Sequence, residues 1–305
     1  MNETKNNSVI PPSLAPGDTI ALVSPAGPVR DQEAAAAGIA ILEDAGFRVK
    51  RAEKLTSEEY LAGSDQERAM QLTDAWLDPE TKALLAMRGG YGCIRLLPLL
   101  NFERFSETPK ILAGFSDITV LLNEIQHRAE IVTYHTPVLT SLARSNEDSQ
   151  RSFINSLSGT VTDIKDDSIE IVVGGRARGN LLGGNLATIS HLLGTPYELL
   201  LDNAILFIED VAEEAYKIDR MLTQLHAAGH LQKLSGLIIG TFTESNGRED
   251  DWVKVVWERA LNLTGGHIPL WGNFPVGHGA RNMTLPLGLE ATMNPSQKTL
   301  ELHVD

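Results

Sequence analysis

The segment "KILAGFSDIT", Lys110 to Thr119, shows the arrangement that recurs through the first half of the chain. An apolar run ends at Gly114, one serine follows, and a helical pattern begins directly afterwards. The β-rich runs "TIALVSPAG" and "KALLAM" also precede helical patterns after a glycine-containing turn. This alternation of short strands and helices predicts a parallel sheet covered by helices.

The second half of the chain predicts another α/β domain. Three β-rich runs, "SIEIVVGG", "AILFIED" and "LSGLIIGTF", are followed by a β-hairpin pattern in "GLEATMNPSQKTLELHV". Between residues 144 and 167 the apolar periodicity fades, and Ser, Asn, Asp and Thr dominate. We therefore predict an N-terminal parallel-sheet α/β domain over residues 1–145, a linker over 146–167 and a C-terminal mixed α/β domain over 168–305.

The composition excludes several classes of protein. The 305 residues are 42% hydrophobic and 22% charged, which is typical of a globular protein rather than a disordered or collagenous one. A net charge of -14 argues against a nucleic acid or an anionic membrane as partner, because both attract clustered Lys and Arg. No secretory leader pattern and no run near the roughly 20 apolar residues that span a bilayer are present, so we expect a cytoplasmic protein.

Metal and disulfide chemistry find no support in the sequence. The single cysteine, Cys93, cannot form an internal disulfide or a paired-thiolate zinc site. A His-Glu-x-x-His pattern is also missing. We therefore expect no metal at the functional site.

Ser116 is the candidate nucleophile. The strand-to-helix turn, with Gly114 two residues earlier, lifts a serine hydroxyl above the sheet edge, as in a nucleophile elbow. The start of the following helix offers unpaired N–H groups that would stabilise an oxyanion. However, Ile118 stands where the α/β-hydrolase signature requires a second glycine. The pattern therefore leaves open whether Ser116 is a nucleophile or the N-cap of a helix.

A serine nucleophile needs a base and an acid that orients the base. Among the eight histidines, His278 lies in the glycine-flanked loop "FPVGHGARN", and His135 in "TYHTP" is its competitor. The acidic residues cluster in "FIEDVAEEAYKIDR", where Glu209 ends an apolar strand and Glu213 begins a helical pattern. A carboxylate at the end of a buried strand is costly without a partner, which favours Glu209.

The turn "MRGGYG" is a second place where backbone N–H groups can approach a ligand closely. It follows a strand and precedes a helix, so it could supply an oxyanion donor or hold a phosphate. It lacks both the Gly-x-Gly-x-x-Gly spacing and the lysine of a nucleotide-binding loop. The pattern alone does not decide between these two uses.

Six stretches in order carry a resemblance that covers nearly the whole chain. They are "PGDTIALVSPAGPV", "MRGGYGCIRLLP", "KILAGFSDIT", "GRARGNLLGGNLATISHLLGTPY", "ILFIEDVAEEAYKIDRML" and "FPVGHGARNMTLPLG". In these stretches the sequence resembles the L,D-carboxypeptidases, serine peptidases that trim murein peptides and that are related to the microcin C immunity peptidases. One departure is "YHTP", where the family would have His-Gly-Pro, so the shape of the pocket there is expected to differ.

The resemblance implies a Ser-Glu-His triad divided between two domains, with the active site at their interface. Ser116 and His278 match the family's motifs, and Glu209 is our choice for the acid, with Asp210 and Glu213 as alternatives. The implied substrate is a murein tetrapeptide, from which the enzyme would release terminal D-alanine in cytoplasmic peptidoglycan recycling. No cofactor is implied, and the family suggests a homodimer.

The resemblance also suggests residues that hold the substrate. The oxyanion would be held by the backbone N–H groups of Gly90 and Asp117. Arg88 and Arg281 are both candidates to bind the terminal carboxylate, and Tyr91 is a further substrate-binding candidate.

Two other functions stay open. The first is an immunity-type peptidase that cleaves aminoacyl or peptidyl nucleotides and would need an aromatic platform for the base; Trp252, Trp257 and Trp271 are available. The second is a non-catalytic protein that binds a nucleotide or sugar phosphate through its glycine-rich turns.

Overall fold

The computed structural model describes residues 8–51, 55–243 and 252–304, with side chains from residue 254 onward in the last range. The chain divides into two compact units. Unit 1 contains Met1–Val161 and Met283–Gly288, and unit 2 contains Thr162–Asn282 and Leu289–Asp305. In the described ranges no helix is both long and apolar enough to cross a membrane.

Unit 1 is built on a six-stranded sheet with the strand order β12-β5-β4-β3-β1-β2. The first five strands along the chain are parallel, as the alternating pattern predicts, and β12 joins antiparallel to β5. β12 comes from a part of the sequence far from the other five. The strands are β1 Thr19–Val23, β2 Arg48–Lys50, β3 Thr81–Ala86, β4 Ile111–Gly114, β5 Thr133–His135 and β12 Leu285–Leu287.

The helices of unit 1 follow the strands. They are α1 Gln32–Asp44, α2 Asp65–Leu77, α3 Phe102–Glu107, α4 Thr119–Ala129, α5 Leu139–Leu142 and α6 Glu147–Leu157. Local chemistry fixes their ends: Ser64 and Glu67 form a capping box at the start of α2, and Asp78, which precedes a proline, ends it.

The stretch predicted as a linker contains regular structure. Residues 147–157 form α6, and the Asn146 side chain caps it by accepting from the N–H of Ser149. The buried face of α6 includes Phe153 and Leu157 among polar neighbours, so the apolar stripe is too sparse for the sequence pattern to reveal a helix. The segment predicted as a linker therefore includes a helix that the sequence pattern did not indicate.

Unit 2 has an eight-stranded mixed sheet in the order β6-β14-β13-β8-β9-β10-β11-β7. The four strands β8 to β11 are parallel, and the flanking pairs are antiparallel. The predicted C-terminal hairpin is confirmed as β13 paired with β14. The strands are β6 Ile164–Lys165, β7 Glu170–Val173, β8 Ala177–Asn185, β9 Ile205–Asp210, β10 Gly236–Phe242, β11 Leu270–Gly272, β13 Glu290–Asn294 and β14 Thr299–His303.

The described helices of unit 2 are α7 Leu186–Leu192, α8 Ala215–Ala227 and α9 Trp252–Thr264. The glycine-rich stretch before α7 forms the end of β8 rather than a loop. A Cβ at Gly183 would lie 2.0 Å from the carbonyl oxygen of Phe207, so glycine is required there for close packing of strands β8 and β9.

Candidate active site

The carboxyl ends of three neighbouring strands of unit 1 lie at one edge of the sheet. β3 lies between β1 and β4, and all three run parallel. The turn Arg88–Gly92 follows β3, and Ser116 follows β4 after a single residue. Parallel α/β sheets bind ligands outside the carboxyl ends of their strands, so this edge is the first place to look for a site.

Ser116 has a strained backbone. Its φ angle is +64°, in the left-handed region that non-glycine residues rarely adopt. Phe115, not Ser116, occupies the N-cap position of the 3₁₀ turn Ser116–Ile118, and no side chain caps that turn. The cap interpretation of Ser116 is therefore wrong. Such strain costs about 1–3 kcal/mol and is typical of active sites, where a side chain must be aimed away from its neighbours.

The glycine turn after β3 contacts the serine directly. A Cβ built on Gly89 would lie 2.7 Å from both Cβ and Oγ of Ser116, and 3.6 Å from the backbone nitrogen of Asp117. Only glycine leaves room for the hydroxyl there. The Asp117 carboxylate accepts a hydrogen bond of 2.8 Å from the N–H of Cys93, which ties the segment after the turn to the serine segment.

Arg68 is a structural residue of this edge that the sequence did not reveal. Its side chain is fully buried and donates to the carbonyl oxygens of Pro25 and Gly92, which belong to the loops after β1 and β3. It also forms an ion pair of 2.5 Å with Asp65. An arginine on the otherwise apolar buried face of α2 was the signal that could have marked it.

In unit 2, Glu209 and His278 form a pair. Glu209 is the penultimate residue of β9, in the middle of the sheet, and has no exposed surface. Its Oε2 lies 2.7 Å from Nδ1 of His278, which follows β11 in the loop "FPVGHGARN". A buried carboxylate is stable only with a partner, and the imidazole supplies one.

The pair also sets the ionisation of the histidine. Burial by itself lowers the pKa of His278, but attraction and hydrogen bonding by Glu209, with a further contribution from Asp210, outweigh it, so the pKa is raised above its ordinary 6.5. The Glu209 carboxylate therefore stabilises the imidazolium form that a general base reaches after it accepts a proton.

The other two acids of this cluster have different partners. Asp210 accepts hydrogen bonds from Nδ2 of Asn185 and from the N–H of Ala187. Burial and repulsion by Glu209 raise the pKa of Asp210 to about 6, although hydrogen bonds from the backbone and Asn185 oppose the rise. Glu213 lies 3.6 Å from the ammonium group of Lys217. Among the three acids, Glu209 is thus the one that contacts His278.

Gly277 fixes the path of the histidine loop. Its φ angle is +132°, and a Cβ there would lie 2.0 Å from Oγ1 of Thr241. The N–H of Thr241 donates to the carbonyl oxygen of Val276 over 2.8 Å, so the loop is held against β10. The side chain of His278 is therefore carried by a well-anchored segment.

The structure distinguishes the two candidate arginines and the competing histidine by the surroundings of their side chains. Arg281 donates to Asp166 and to Ser168, at 2.6 Å each, so its charge is already compensated. Arg88 donates to the carbonyl oxygen of Pro28 over 3.0 Å and lines a cavity in unit 1 together with Gly90 and Tyr91. His135, the competing histidine, is fully buried in β5, with its ring edge against Phe115.

Over residues 8–51, 55–243 and 252–304, no cluster of three or more His, Cys, Asp or Glu side chains could hold a metal ion. The sulfur of Cys93 is buried, and burial together with the nearby Asp117 carboxylate raises the pKa of the thiol well above its usual range. Cys93 is therefore a packed thiol rather than a reactive thiolate.

Two family models match the chain over most of its length. The model of the LD-carboxypeptidase N-terminal domain matches residues 20–136, and that of the LD-carboxypeptidase C-terminal domain matches residues 178–293. The strained serine lies within the first match, and the Glu209–His278 pair lies within the second. The chain belongs to the LD-carboxypeptidase family, which is a family of serine peptidases.

Individual relatives extend this match. The chain is 34% identical over 305 residues to the probable murein peptide carboxypeptidase of Bacillus subtilis, covering 95% of this chain and 92% of the relative. It is 34% identical over 247 residues to the murein tetrapeptide carboxypeptidase of Pseudomonas aeruginosa, covering 77% and 79%. It is also 26% identical to the microcin C7 self-immunity protein MccF of Escherichia coli, covering 95% and 94%.

Solved structures show the same fold. An MccF-like protein from Bacillus anthracis superposes with a TM-score of 0.86 at 26% identity, covering 97% of this chain and 100% of that one. A muramoyltetrapeptide carboxypeptidase from Oxalobacter formigenes superposes with a TM-score of 0.79 at 29% identity, covering 93% and 97%. The relatives therefore include both murein carboxypeptidases and immunity proteins.

Proposed function

We propose that this protein is a serine-type L,D-carboxypeptidase that releases terminal D-alanine from murein tetrapeptides, in peptidoglycan recycling in the cytoplasm. The observation that carries the proposal is the Glu209–His278 hydrogen bond of 2.7 Å. In a serine hydrolase, the histidine that activates the serine is oriented by a carboxylate, which also stabilises the protonated imidazole. The strained backbone of Ser116 supports its role as the nucleophile.

In the proposed mechanism, Nδ1 of His278 stays protonated and donates to Glu209, while Nε2 accepts the proton of the Ser116 hydroxyl. The serine oxygen attacks the carbonyl carbon of the L-configured residue that precedes D-alanine. The imidazolium then gives its proton to the leaving amine, and D-alanine departs. Water hydrolyses the acyl-enzyme by the same route, which restores the free serine and the neutral imidazole.

We assign the oxyanion hole to the backbone N–H groups of Gly90 and Asp117. The close approach of the neighbouring Gly89 to both Ser116 and the Asp117 nitrogen supports this assignment, because it brings the turn within a few ångströms of the nucleophile. Two preorganised donors of this kind act most strongly on the negative charge that develops in the transition state.

We propose that Arg88, rather than Arg281, binds the terminal carboxylate of the substrate. Both were candidates from the sequence, but the guanidinium of Arg281 is paired with Asp166. Arg88 instead faces a cavity that also contains Gly90, one of the proposed oxyanion donors, and Tyr91. A carboxypeptidase needs its cation close to the scissile bond, since only one residue separates that bond from the terminal carboxylate.

Hydrolysis of a murein tetrapeptide ending in D-alanine, followed by mass spectrometry, tests the proposal. Wild-type protein should release D-alanine, and Ser116→Ala should lower turnover by several orders of magnitude while the fold is kept. The matched control is the same peptide ending in L-alanine, which should be cleaved poorly. Near-normal turnover by Ser116→Ala would contradict the serine mechanism.

The immunity-type peptidase is the second candidate, because MccF is among the relatives. Its nucleotide base would require an aromatic platform, yet Trp271 is fully buried in β11 and the ring of Trp257 packs within 2.3 Å of where a Cβ on Gly272 would lie. The side chain of Trp252 lies outside the described residues. Faster cleavage of a peptidyl adenylate than of the tetrapeptide would favour this candidate over the murein enzyme.

A further inference from the structure

The loop that carries His278 is anchored differently on its two sides. On the N-terminal side, the carbonyl oxygen of Val276 accepts from the N–H of Thr241 over 2.8 Å and from its hydroxyl over 3.1 Å. On the C-terminal side, Gly279 is exposed. Apart from its chain neighbours, the nearest described atom to a Cβ built on Gly279 would be the backbone nitrogen of Arg281, at 3.9 Å. A glycine with this much space leaves the backbone free to move unless the residues after it are held.

Arg281 holds the C-terminal side of the loop against the turn between β6 and β7. Its Nη2 atom donates to Oδ2 of Asp166 and to Oγ of Ser168, over 2.6 Å each. Hydrogen bonds between charged groups are shorter and stronger than those between neutral groups. The guanidinium and the carboxylate are both partly buried, so salt screens this pair less than it would screen a fully exposed one.

The turn that receives Arg281 is itself fixed. Oδ1 of Asp166 accepts from the N–H of Ser168 over 2.8 Å and from its hydroxyl over 2.5 Å. The carbonyl oxygen of Ser168 accepts from Nδ2 of Asn273, which directly follows β11, over 2.9 Å. Burial opposes ionisation of Asp166, but the bonds from Ser168 and the charge of Arg281 outweigh it and lower the pKa of Asp166. Arg281 therefore contacts an anchored and negatively charged partner.

A backbone contact links this anchor to the histidine. The N–H of Gly277 donates to Oδ1 of Asn282 over 3.1 Å. This bond closes a short segment of chain, and both His278 and Arg281 lie between its ends. Because the closed segment is short, a displacement of Arg281 changes the backbone path at His278.

We propose that Arg281 is a positioning residue for His278. Its hydrogen bonds to the turn between β6 and β7 hold the loop so that Nδ1 of the imidazole stays against Oε2 of Glu209. Without these bonds the imidazole would spend more time away from the carboxylate, and fewer molecules would contain an oriented base. This inference rests on the proposed carboxypeptidase function and gives Arg281 a role other than binding the substrate carboxylate.

Steady-state kinetics of D-alanine release distinguish positioning from substrate binding. Arg281→Gln should lower kcat by about ten- to hundredfold and change KM by less than about twofold, because the base loses its orientation and the substrate loses no contact. Arg281→Lys keeps the charge but not the planar guanidinium, so its kcat should lie between those of the wild type and Arg281→Gln. A raised KM with an unchanged kcat in Arg281→Gln would overturn the inference, since that result indicates lost substrate binding.

Asp166→Asn reaches the same contact from the turn, so the test does not depend on the folding of one variant. It should also lower kcat, and the double variant Arg281→Gln/Asp166→Asn should lose no more than Arg281→Gln alone; additive losses would overturn the inference. Arg259→Gln is the matched control, because Arg259 of unit 2 likewise donates to an aspartate and a hydroxyl, Asp219 over 2.5 Å and Thr223 over 2.8 Å. It should retain the wild-type kcat, and a loss equal to that of Arg281→Gln would reject a specific role for Arg281.

Titration of the His278 imidazole by NMR separates failure of this inference from failure of the proposed function, since it requires no turnover. Burial lowers the pKa of His278, and Glu209 and Asp210 raise it above its ordinary 6.5. Looser contact with Glu209 should therefore lower the midpoint in Arg281→Gln, whereas the loss of a nearby positive charge alone would raise it. A lowered midpoint supports the inference even if the wild type releases no D-alanine. An unchanged or raised midpoint rejects it even if the wild type is an active carboxypeptidase.

Discussion

Replacement of Glu209 by Gln tests the link between the buried acid and the histidine. Gln keeps the size of the side chain and can still accept a hydrogen bond from Nδ1 of His278, but it removes the negative charge. In the wild type that charge more than offsets the effect of burial and keeps the pKa of His278 above 6.5. In Glu209→Gln burial acts largely unopposed, so the pKa should fall below its wild-type value.

The magnitude follows from the kind of bond that is lost. A hydrogen bond to a charged group contributes about 1.5–3 kcal/mol, and one between neutral groups about 0.5–1.5 kcal/mol. Glu209→Gln should therefore remove about 1–1.5 kcal/mol of stability. Because the folded-state pKa of His278 is raised, the additional stabilisation from attraction between the imidazolium and the Glu209 carboxylate is fully present below pH 6.5 and is lost as the pH rises through the folded-state pKa.

Glu209→Gln should lower the turnover of the enzyme more strongly than it lowers its stability. An orienting carboxylate in a serine triad contributes roughly 10⁴-fold to turnover, because it holds the reactive tautomer of the histidine. We expect a loss of about 10³- to 10⁴-fold in kcat for D-alanine release. The acid limb of the kcat/KM profile, which reports protonation of the base, should lie above pH 6.5 in the wild type and move to lower pH in the variant.

The titration is followed by NMR on the imidazole Cε1–H of His278, assigned by its loss in His278→Gln. Glu213→Gln is the matched control, since Glu213 pairs with Lys217 and should leave the midpoint in place. A wild-type midpoint below 6.5, or equal midpoints in the wild type and Glu209→Gln, would refute the reasoning.

Three further predictions concern neighbouring positions. The pKa of Asp210 is raised from its ordinary 3.8 to about 6, so the free energy of unfolding of the wild type should fall by on the order of 3 kcal/mol as the pH rises from 3.8 to 6. Asp210→Asn should flatten this pH dependence in denaturant unfolding. Gly89→Ala should reduce D-alanine release strongly with a smaller effect on unfolding, because its Cβ would displace Ser116; equal activity would contradict the contact. Gly38→Ala should destabilise the protein by about 1–3 kcal/mol despite the helix propensity of alanine, since its Cβ would lie 2.3 Å from the carbonyl oxygen of Leu139; a stabilised variant in urea unfolding would argue against this packing.

Much of the fold follows from local patterns. Helix α2, Asp65–Leu77, is bounded by signals that the sequence itself shows, a capping box at its start and a proline just after its end. The strand that precedes Ser116 and the strand that contains Glu209 were identified by apolar runs that end at a glycine or an acid. Signals of this kind depend on neighbours in sequence, so they are visible without tertiary structure.

Other features depend on tertiary contacts and could not be predicted. Strand β12 joins the sheet of unit 1 from a distant part of the sequence, and its three residues carry no strong strand pattern. Arg30 and Tyr60 reach the Arg88 cavity from separate loops. The strained backbone of Ser116 and its close contact with the turn at Gly89 are likewise tertiary features, which the generic elbow motif with its missing second glycine did not indicate.

The central claim is that Ser116 is a nucleophile activated by His278. The most direct test is covalent labelling by a serine-directed acylating reagent, followed by mass spectrometry of the intact protein and of its peptides. The account predicts one adduct, on the peptide that contains Ser116, with none in Ser116→Ala and much slower labelling in His278→Gln. An adduct on another residue, or labelling of Ser116 at the same rate without His278, would contradict it.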